Sequence, residues 1–272
     1  MAINRSFIKD WVPPAIWRTL RRIAGSPASF RGNYKSWEEA RAHSTGYDSA
    51  QIVSRVLSAT LAVKLGEACF ERDSVLFDQP APRYPVIAEL LTCALAQHGR
   101  LDVLDFGGAL GSLYFQHRSF FSNLEAVQWS VVEQKEFLTQ GRAHVADGCL
   151  RFYESIEACC KERSPAIGIA SSALQYLPNP RELLLQLLAA TRATILDRLP
   201  LIDAATDRLT VQTVPPSIYS ASYPAWFFSR GQFMELLTAN GFRPVREFDS
   251  IDELELDGRP VRTTGMVIEK IG

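Results

Sequence analysis

Along residues 34–98 the apolar positions recur every three or four residues, and from residue 101 onward they gather into short runs separated by helix-length stretches. In the first region "SWEEARAHS" (36–44) opens on Ser36, an N-cap residue, with Glu39 three positions later. "SAQIVSRVLSATLAVKL" (49–65) keeps the helical period. The later runs are "LDVLDF" (101–106), "VQWSVVE" (127–133), "LRFY" (150–153), "AIGIASS" (166–172) and "ATILD" (193–197), each followed, or nearly so, by a helical segment. Strand and helix in alternation predict an α/β domain with a mostly parallel, doubly wound sheet. Two further strand-like segments, "FRPVREFDS" (242–250) and "TTGMVIEKI" (263–271), flank the acidic, turn-rich "IDELELDGRPV" (251–261) and are expected to pair antiparallel at one end of the sheet. The expected division is an N-terminal helical region over 1–98 and a sheet domain over 99–272.

The stretch "VLDFGGALGSLYF" (103–115) raises the chemical question. In an open parallel sheet a ligand sits beyond the carboxyl ends of the strands, and the first strand-to-helix turn is glycine-rich because side chains there would obstruct it. Asp105 would end the first strand, and Gly107, Gly108 and Gly111 would form the turn. The next strand ends at Glu133, 22 residues beyond Gly111, where a carboxylate can accept from both hydroxyls of a ribose, with Gln134 beside it. Tyr153, Glu154, Ser155 and Ile156 would follow the third strand. "ASSALQYLPNP" (170–180) follows the fourth, bringing Ser171, Ser172, Gln175 and Tyr176 to the site, and Asp197 and Arg198 end the fifth. The long connection over 202–233 carries Gln212, Pro215, Pro216, Tyr219, Tyr223, Trp226, Phe227 and Phe228, a composition that suits a lid or pocket wall.

These residues carry a resemblance. The D-x-G-G-x-x-G turn resembles motif I of class I S-adenosylmethionine (SAM) methyltransferases, D-x-G-x-G-x-G, with Ala109 where the family has glycine. "FRGNYKSWEEARAHSTGYD", "LDFGGALGS", "ASSALQYL", "ILDRLPL" and "VQTVPPSIYSASYPAWFFS" together resemble a bacterial methyltransferase family found among surface-polysaccharide and secondary-metabolite enzymes. The resemblance implies a Rossmann-like seven-stranded sheet with an N-terminal helical cap that includes Gly46, Tyr47 and Asp48. It implies SAM as cofactor, held by Asp105, Gly107, Gly108, Gly111, Glu133, Gln134, Ser155, Ser171, Ser172 and Tyr47. Tyr176, Gln175 and Asp197 become the catalytic candidates. Arg198, Gln212, Tyr219, Tyr223 and Trp226 become candidates for contact with a small-molecule acceptor. Two alternatives stay open: self-cyclisation of SAM to azetidine-2-carboxylate and methylthioadenosine, and a non-catalytic SAM-binding protein.

Charge and cysteine usage narrow the partners. A net charge of −1 gives no basic field to gather nucleic acid. Cys69, Cys93, Cys149, Cys159 and Cys160 are odd in number and lack C-x-x-C spacing, which predicts a reducing cytoplasm and no structural metal. No apolar run reaches the roughly 18 residues of a membrane span. Residues 3–24 interleave Arg5, Lys9, Arg18, Arg21 and Arg22 with apolar residues, a composition compatible with weak membrane-surface contact or with packing on the domain. His117 and His144 are expected to be packing or surface residues, which leaves no histidine placed as a general base.

Overall fold

The computed structural model describes residues 29–45, 49–214 and 221–271. The expectations for residues 3–24, Gly46, Tyr47, Asp48, Pro215, Pro216 and Tyr219 lie outside the described residues. In chain order the elements are β1 (Ser29–Tyr34), α1 (Trp37–Ala42), α2 (Ser49–Leu65), β2 (Phe70–Arg72), β3 (Val75–Phe77), α3 (Tyr84–Ala96), β4 (Arg100–Phe106), α4 (Ser112–His117), β5 (Ala126–Val132), α5 (Lys135–Gln140), β6 (Leu150–Tyr153) and α6 (Ile156–Glu162). They continue with β7 (Ile167–Ser171), α7 (Pro180–Ala190), β8 (Ala193–Leu199), β9 (Leu201–Ile202), β10 (Arg208–Thr213), β11 (Ser222–Ser229), α8 (Arg230–Ala239), β12 (Phe242–Leu256) and β13 (Arg259–Lys270).

Contacts divide the described chain into two compact units. The larger holds residues 49–208, 226–252 and 262–271; the smaller holds 29–45, 209–214, 221–225 and 253–261. This division does not follow the expected break near residue 98. Residues that pair as strands share a unit wherever they lie along the chain, and sequence distance does not reveal such pairing.

In the larger unit the strands run in the order β6-β5-β4-β7-β8-β13-β12. The first five are parallel, in register as Trp129↔Leu150, Val103↔Trp129, Val103↔Ile167 and Ile167↔Ala193, and β13 runs antiparallel to β8. Strands β1, β9, β10 and β11 carry the count beyond the expected seven. Strands buried on both faces read as continuous apolar runs. Val103, Trp129, Val131, Ile167, Ile169 and Ile195 fill one layer, while Leu104, Val132, Ala170, Leu187, Leu196 and Ile268 fill the other. Local chemistry sets the helix starts. Pro180 opens α7 with the fixed φ suited to a first turn, and the Ser155 hydroxyl oxygen accepts from the Ala158 N–H at the start of α6.

In the smaller unit β1 pairs antiparallel with β10, Phe30 facing Gln212, and parallel with the end of β12, Phe30 facing Leu256. Ser36 caps α1 as expected, accepting from the Glu39 N–H at 3.1 Å; the Glu39 carboxylate accepts in return from the Lys35 N–H at 2.7 Å.

Three expectations change. Residues 34–98 are not helical throughout, because "FERDSVLF" folds as the β2–β3 hairpin, whose turn residues Asp73 and Ser74 take φ of 52° and 64°, the left-handed values a two-residue hairpin needs. Strands β12 and β13 extend through the segment expected to be a long turn, since "IDELEL" alternates with period two and Asp257-Gly258 suffices to reverse the chain. The connection over 202–233 holds β9, β10 and β11, as its β-branched and aromatic residues favour.

The central strand tests the packing. Leu104→Ala, at a fully buried position, is expected to cost about 2–5 kcal/mol, read as a lower urea midpoint at unchanged m-value.

Candidate functional site

The glycine turn after β4 is built around a buried acid. Asp105 is fully buried, with Oδ2 accepting from the Trp129 indole N–H at 2.9 Å and Oδ1 without a hydrogen-bond partner. Burial pushes its carboxyl up to about 7, against the indole bond. The backbone of Gly108 lies directly on this group: a Cβ there would sit 2.4 Å from Oδ2. Gly107 (φ 69°) faces Ala173 so closely that a Cβ would stand 2.6 Å from the Ala173 Cβ, and its N–H donates to the Val132 carbonyl at 3.0 Å. Gly111 (φ 89°) packs on Leu150 and its carbonyl accepts from the Phe115 N–H, which starts α4. With its side chain enclosed, Asp105 supports the turn from beneath. That corrects the expectation that it would present itself at the strand end.

Ala109 stands at φ 51°, the left-handed conformation that a glycine would take without strain. Its N–H donates to Glu133 Oε1 at 3.2 Å, while the Gln134 N–H donates to Oε2 at 2.8 Å. Each carboxylate oxygen retains a second lone pair. Burial pushes the Glu133 carboxyl up to about 7, with the two backbone bonds acting in the opposite sense. The structure thus joins the two sequence features most separated in chemistry, the turn and the carboxylate 22 residues on. Ser155 is occupied differently from its expected part, since its hydroxyl caps α6.

Beyond β7 and β8 lies a dense polar cluster. Asp197 is buried, and Oδ1 accepts from Arg83 Nη2 at 2.6 Å and the Ser250 hydroxyl at 2.8 Å, while Oδ2 accepts from the Ser171 hydroxyl at 3.1 Å. The Ser172 N–H donates to the Asp197 carbonyl at 2.9 Å. Every oxygen of Asp197 therefore has a donor, which suits a positioning group better than the catalytic base it was expected to supply. Gln175 is buried with its amide donating to the Ser172 hydroxyl at 2.9 Å. Burial holds the Tyr176 phenol above its usual range, so it keeps its proton at neutral pH. Arg198 donates to Asp252 through Nε and to Asp73 at 3.4 Å through Nη2, engagements absent from its expected role at an acceptor. Ser172 (φ 54°) and Arg198 (φ 57°) join Ala109 as left-handed non-glycine residues at the carboxyl ends of the three strands. Such strain persists only where surrounding contacts hold it, and it clusters at working sites.

The remaining candidates divide. The Trp226 indole N–H donates to the Leu177 carbonyl at 3.0 Å, placing that ring beside the loop after β7. Gln212 and Tyr223 belong to the smaller unit, where Gln212 is buried with its Oε1 unpartnered. His117 is fully buried: Nε2 accepts from the Arg83 N–H at 3.1 Å, Nδ1 pairs with the Leu113 carbonyl, and burial lowers its pKa to about 4. His144 is exposed. Four residues of the site went unread in the sequence: Trp129, Arg83, Ser250 and Asp252. Trp129 looks like any core aromatic, and the other three lie outside every strand end that the glycine pattern marks.

Neither a family model nor a curated protein sequence matches the chain. Among solved structures, it is similar to the magnesium protoporphyrin IX methyltransferase of Synechocystis PCC 6803 with bound SAM, at 14% identity and TM-score 0.43, covering 99% of this chain and 98% of that one. It is similar also to the 1,6-didemethyltoxoflavin-N1-methyltransferase of Burkholderia thailandensis, at 16% identity and TM-score 0.42, covering 83% and 92% of the two chains. A SAM-dependent methyltransferase of Methanosarcina mazei matches at 15% identity and TM-score 0.47, covering 70% of this chain and 99% of that one.

Two outcomes are expected of the site's own physics. Ala109→Gly relieves the left-handed strain, partly offset by the greater entropy of glycine in the unfolded chain, and should stabilise the protein by about 0.5–1 kcal/mol in urea unfolding. His117 stays neutral in the folded protein to about pH 4 whereas the unfolded chain protonates it near 6.5, so the unfolded state binds more protons and stability falls as pH drops through that window. The wild type should lose about 3 kcal/mol relative to His117→Gln between pH 6.5 and 4, measured as the difference between their unfolding free energies.

Proposed function

We propose that the chain is a SAM-dependent methyltransferase acting on a small molecule. The observation that carries this is the turn from Gly107 to Gly111, pressed onto a buried acid and tied through Ala109 to the half-buried Glu133. The residues fit the cofactor: the turn bares backbone where side chains would obstruct an approach, and Glu133 keeps lone pairs for two ribose hydroxyls. Gln134 and the residues after β6 flank the adenine side, and Ser171 and Ser172 lie toward the methyl-transfer side. When bound, SAM supplies a methyl group on a sulfonium, already activated for in-line displacement.

The chain's own contribution is positioning and exclusion of water. Arg83, Ser171 and Ser250 hold Asp197 and, through it, the strained ends of β7 and β8. Tyr176, protonated at neutral pH, can hold an acceptor oxygen by donating a hydrogen bond, and its ring offers a face to a cation. With each Asp197 oxygen already accepting a hydrogen bond and His117 buried against Arg83 and Leu113, an acceptor that arrives already deprotonated or neutral and nucleophilic suits the site best.

Incubation of the purified protein with SAM alone tests the proposal by mass spectrometry of the nucleoside. Intact SAM with measurable binding is expected; methylthioadenosine above the no-protein control would overturn methyl transfer in favour of self-cyclisation, and no binding would overturn both. The pH profile of binding is a sharper check. Hydroxyls that donate to Glu133 bind its ionised form, so SAM affinity should rise with pH, level off above about 7, and fall up to about tenfold per unit below it. Glu133→Gln should bind more weakly at pH 8 and lose that slope, as isothermal titration calorimetry would show.

A further inference from the structure

A cluster of three arginines, Arg72, Arg83 and Arg198, lies in the larger unit, the last of them acting on the Tyr176 phenol, and two of the three donate hydrogen bonds to acids of the fold. Arg83, 7% exposed, is committed to Asp197 and Ser250. Arg198, with its side chain 15% exposed, is committed to Asp252 and Asp73. Arg72 differs from both. Its side chain is 30% exposed, its nearest acid is Asp252 at 3.8 Å, beyond hydrogen-bond distance, and among the described residues its guanidinium makes no hydrogen bond. Yet it is held in place: its Cζ lies 5.9 Å from the Phe70 ring centroid and 5.4 Å from that of Phe77, and these rings stack on each other across the β2–β3 hairpin with centroids 4.5 Å apart.

A planar guanidinium fixed by aromatic rings, with its N–H fork free, is preorganised for a carboxylate or phosphate that it can grip with two parallel bonds. Its neighbours favour an added anion. Burial foremost, then the positive charge of Arg198 and to a lesser degree that of Arg83, lowers the pKa of Arg72, while Asp252 and Asp73 only partly oppose them. Asp252 cannot serve both arginines equally, because its Oδ2 is taken by Arg198 Nε. Of the acids near the cluster, Asp197 accepts from Arg83, Ser250 and Ser171 rather than from Arg72.

We propose that Arg72 binds an oxyanion group of the methyl acceptor, a carboxylate or a phosphate, so that the acceptor is an anionic small molecule. The substrate class rests on the methyltransferase proposal, but the anion site does not. Arg72 takes the part that the sequence suggested for Arg198, whose Nε and Nη2 donate to Asp252 and Asp73 within the protein.

The test uses the full chain with ¹⁵N-labelled arginine side chains, followed by NMR as inorganic phosphate or acetate is added, with and without S-adenosylhomocysteine. The Arg72 resonance, identified by its absence in Arg72→Gln, should shift and saturate at millimolar anion, ahead of the exposed Arg100 and Arg246. Arg72→Gln should weaken anion binding at least about tenfold, and Arg72→Lys, which keeps the charge and loses the fork, should recover only part of it. Saturation by phosphate alone would specify a phosphorylated acceptor, by acetate alone a carboxylated one, and by both an acceptor recognised through charge. A shift that stays linear with concentration, or that tracks the exposed arginines, overturns the proposal even if the Gln variant fails to fold. Because the anion is titrated without cofactor as well, loss of this site is separable from failure to bind SAM.

Discussion

The contact between the Asp105 carboxyl and the backbone of Gly108 constrains the whole site. A side chain at 108 would lie inside hydrogen-bond distance of a buried oxygen, so the turn can pass over the acid only as glycine. A lone buried carboxylate is costly, and two features relieve the cost: the Trp129 indole donates to it, and its raised pKa lets it hold a proton near neutrality. Trp129 sits on β5, the strand paired with β4, and its ring also fills one core layer of the sheet. Core packing and turn geometry are therefore one arrangement. The same turn fixes Ala109, and the Ala109 N–H in turn donates to Glu133, so the strand-end carboxylate hangs from the same buried acid.

The polar cluster beyond β7 and β8 is organised by charge. Arg83 and Asp197 form a buried pair whose remaining valences are met by Ser171 and Ser250, as such a pair must be if it is not to destabilise the fold. The pair locks the carboxyl ends of β7 and β8 and frees no group for proton transfer. It also leaves Arg198 to Asp252, and that allocation is what sets Arg72 apart. Strain at Ser172 and Arg198 marks the region as one where local backbone preference yields to the network around it.

Much of the larger unit was legible from periodicity. The five parallel strands fall where the apolar runs lie, because strands buried on both faces need them, and the glycine turn and Glu133 are visible because a ligand-facing turn and a strand-end carboxylate each require a particular residue type at a particular place. The β2–β3 hairpin was not legible, since eight residues with one polar turn look like a break between helices. Nor was the fate of Asp197 and Arg198. Their positions at a strand end were right, but whether a charged side chain faces a ligand or a partner depends on residues more than 50 positions away, such as Ser250 and Asp252.

By itself, then, the sequence determined the five parallel strands of the larger unit and the glycine turn, since these follow from local sterics and from the period of burial. Only the tertiary structure decided which charges are spent. Arg83 just before α3, Asp197 at the end of β8 and Ser250 in β12 meet through folding, and an ion pair is a property of distance in space, which no one-dimensional spacing encodes.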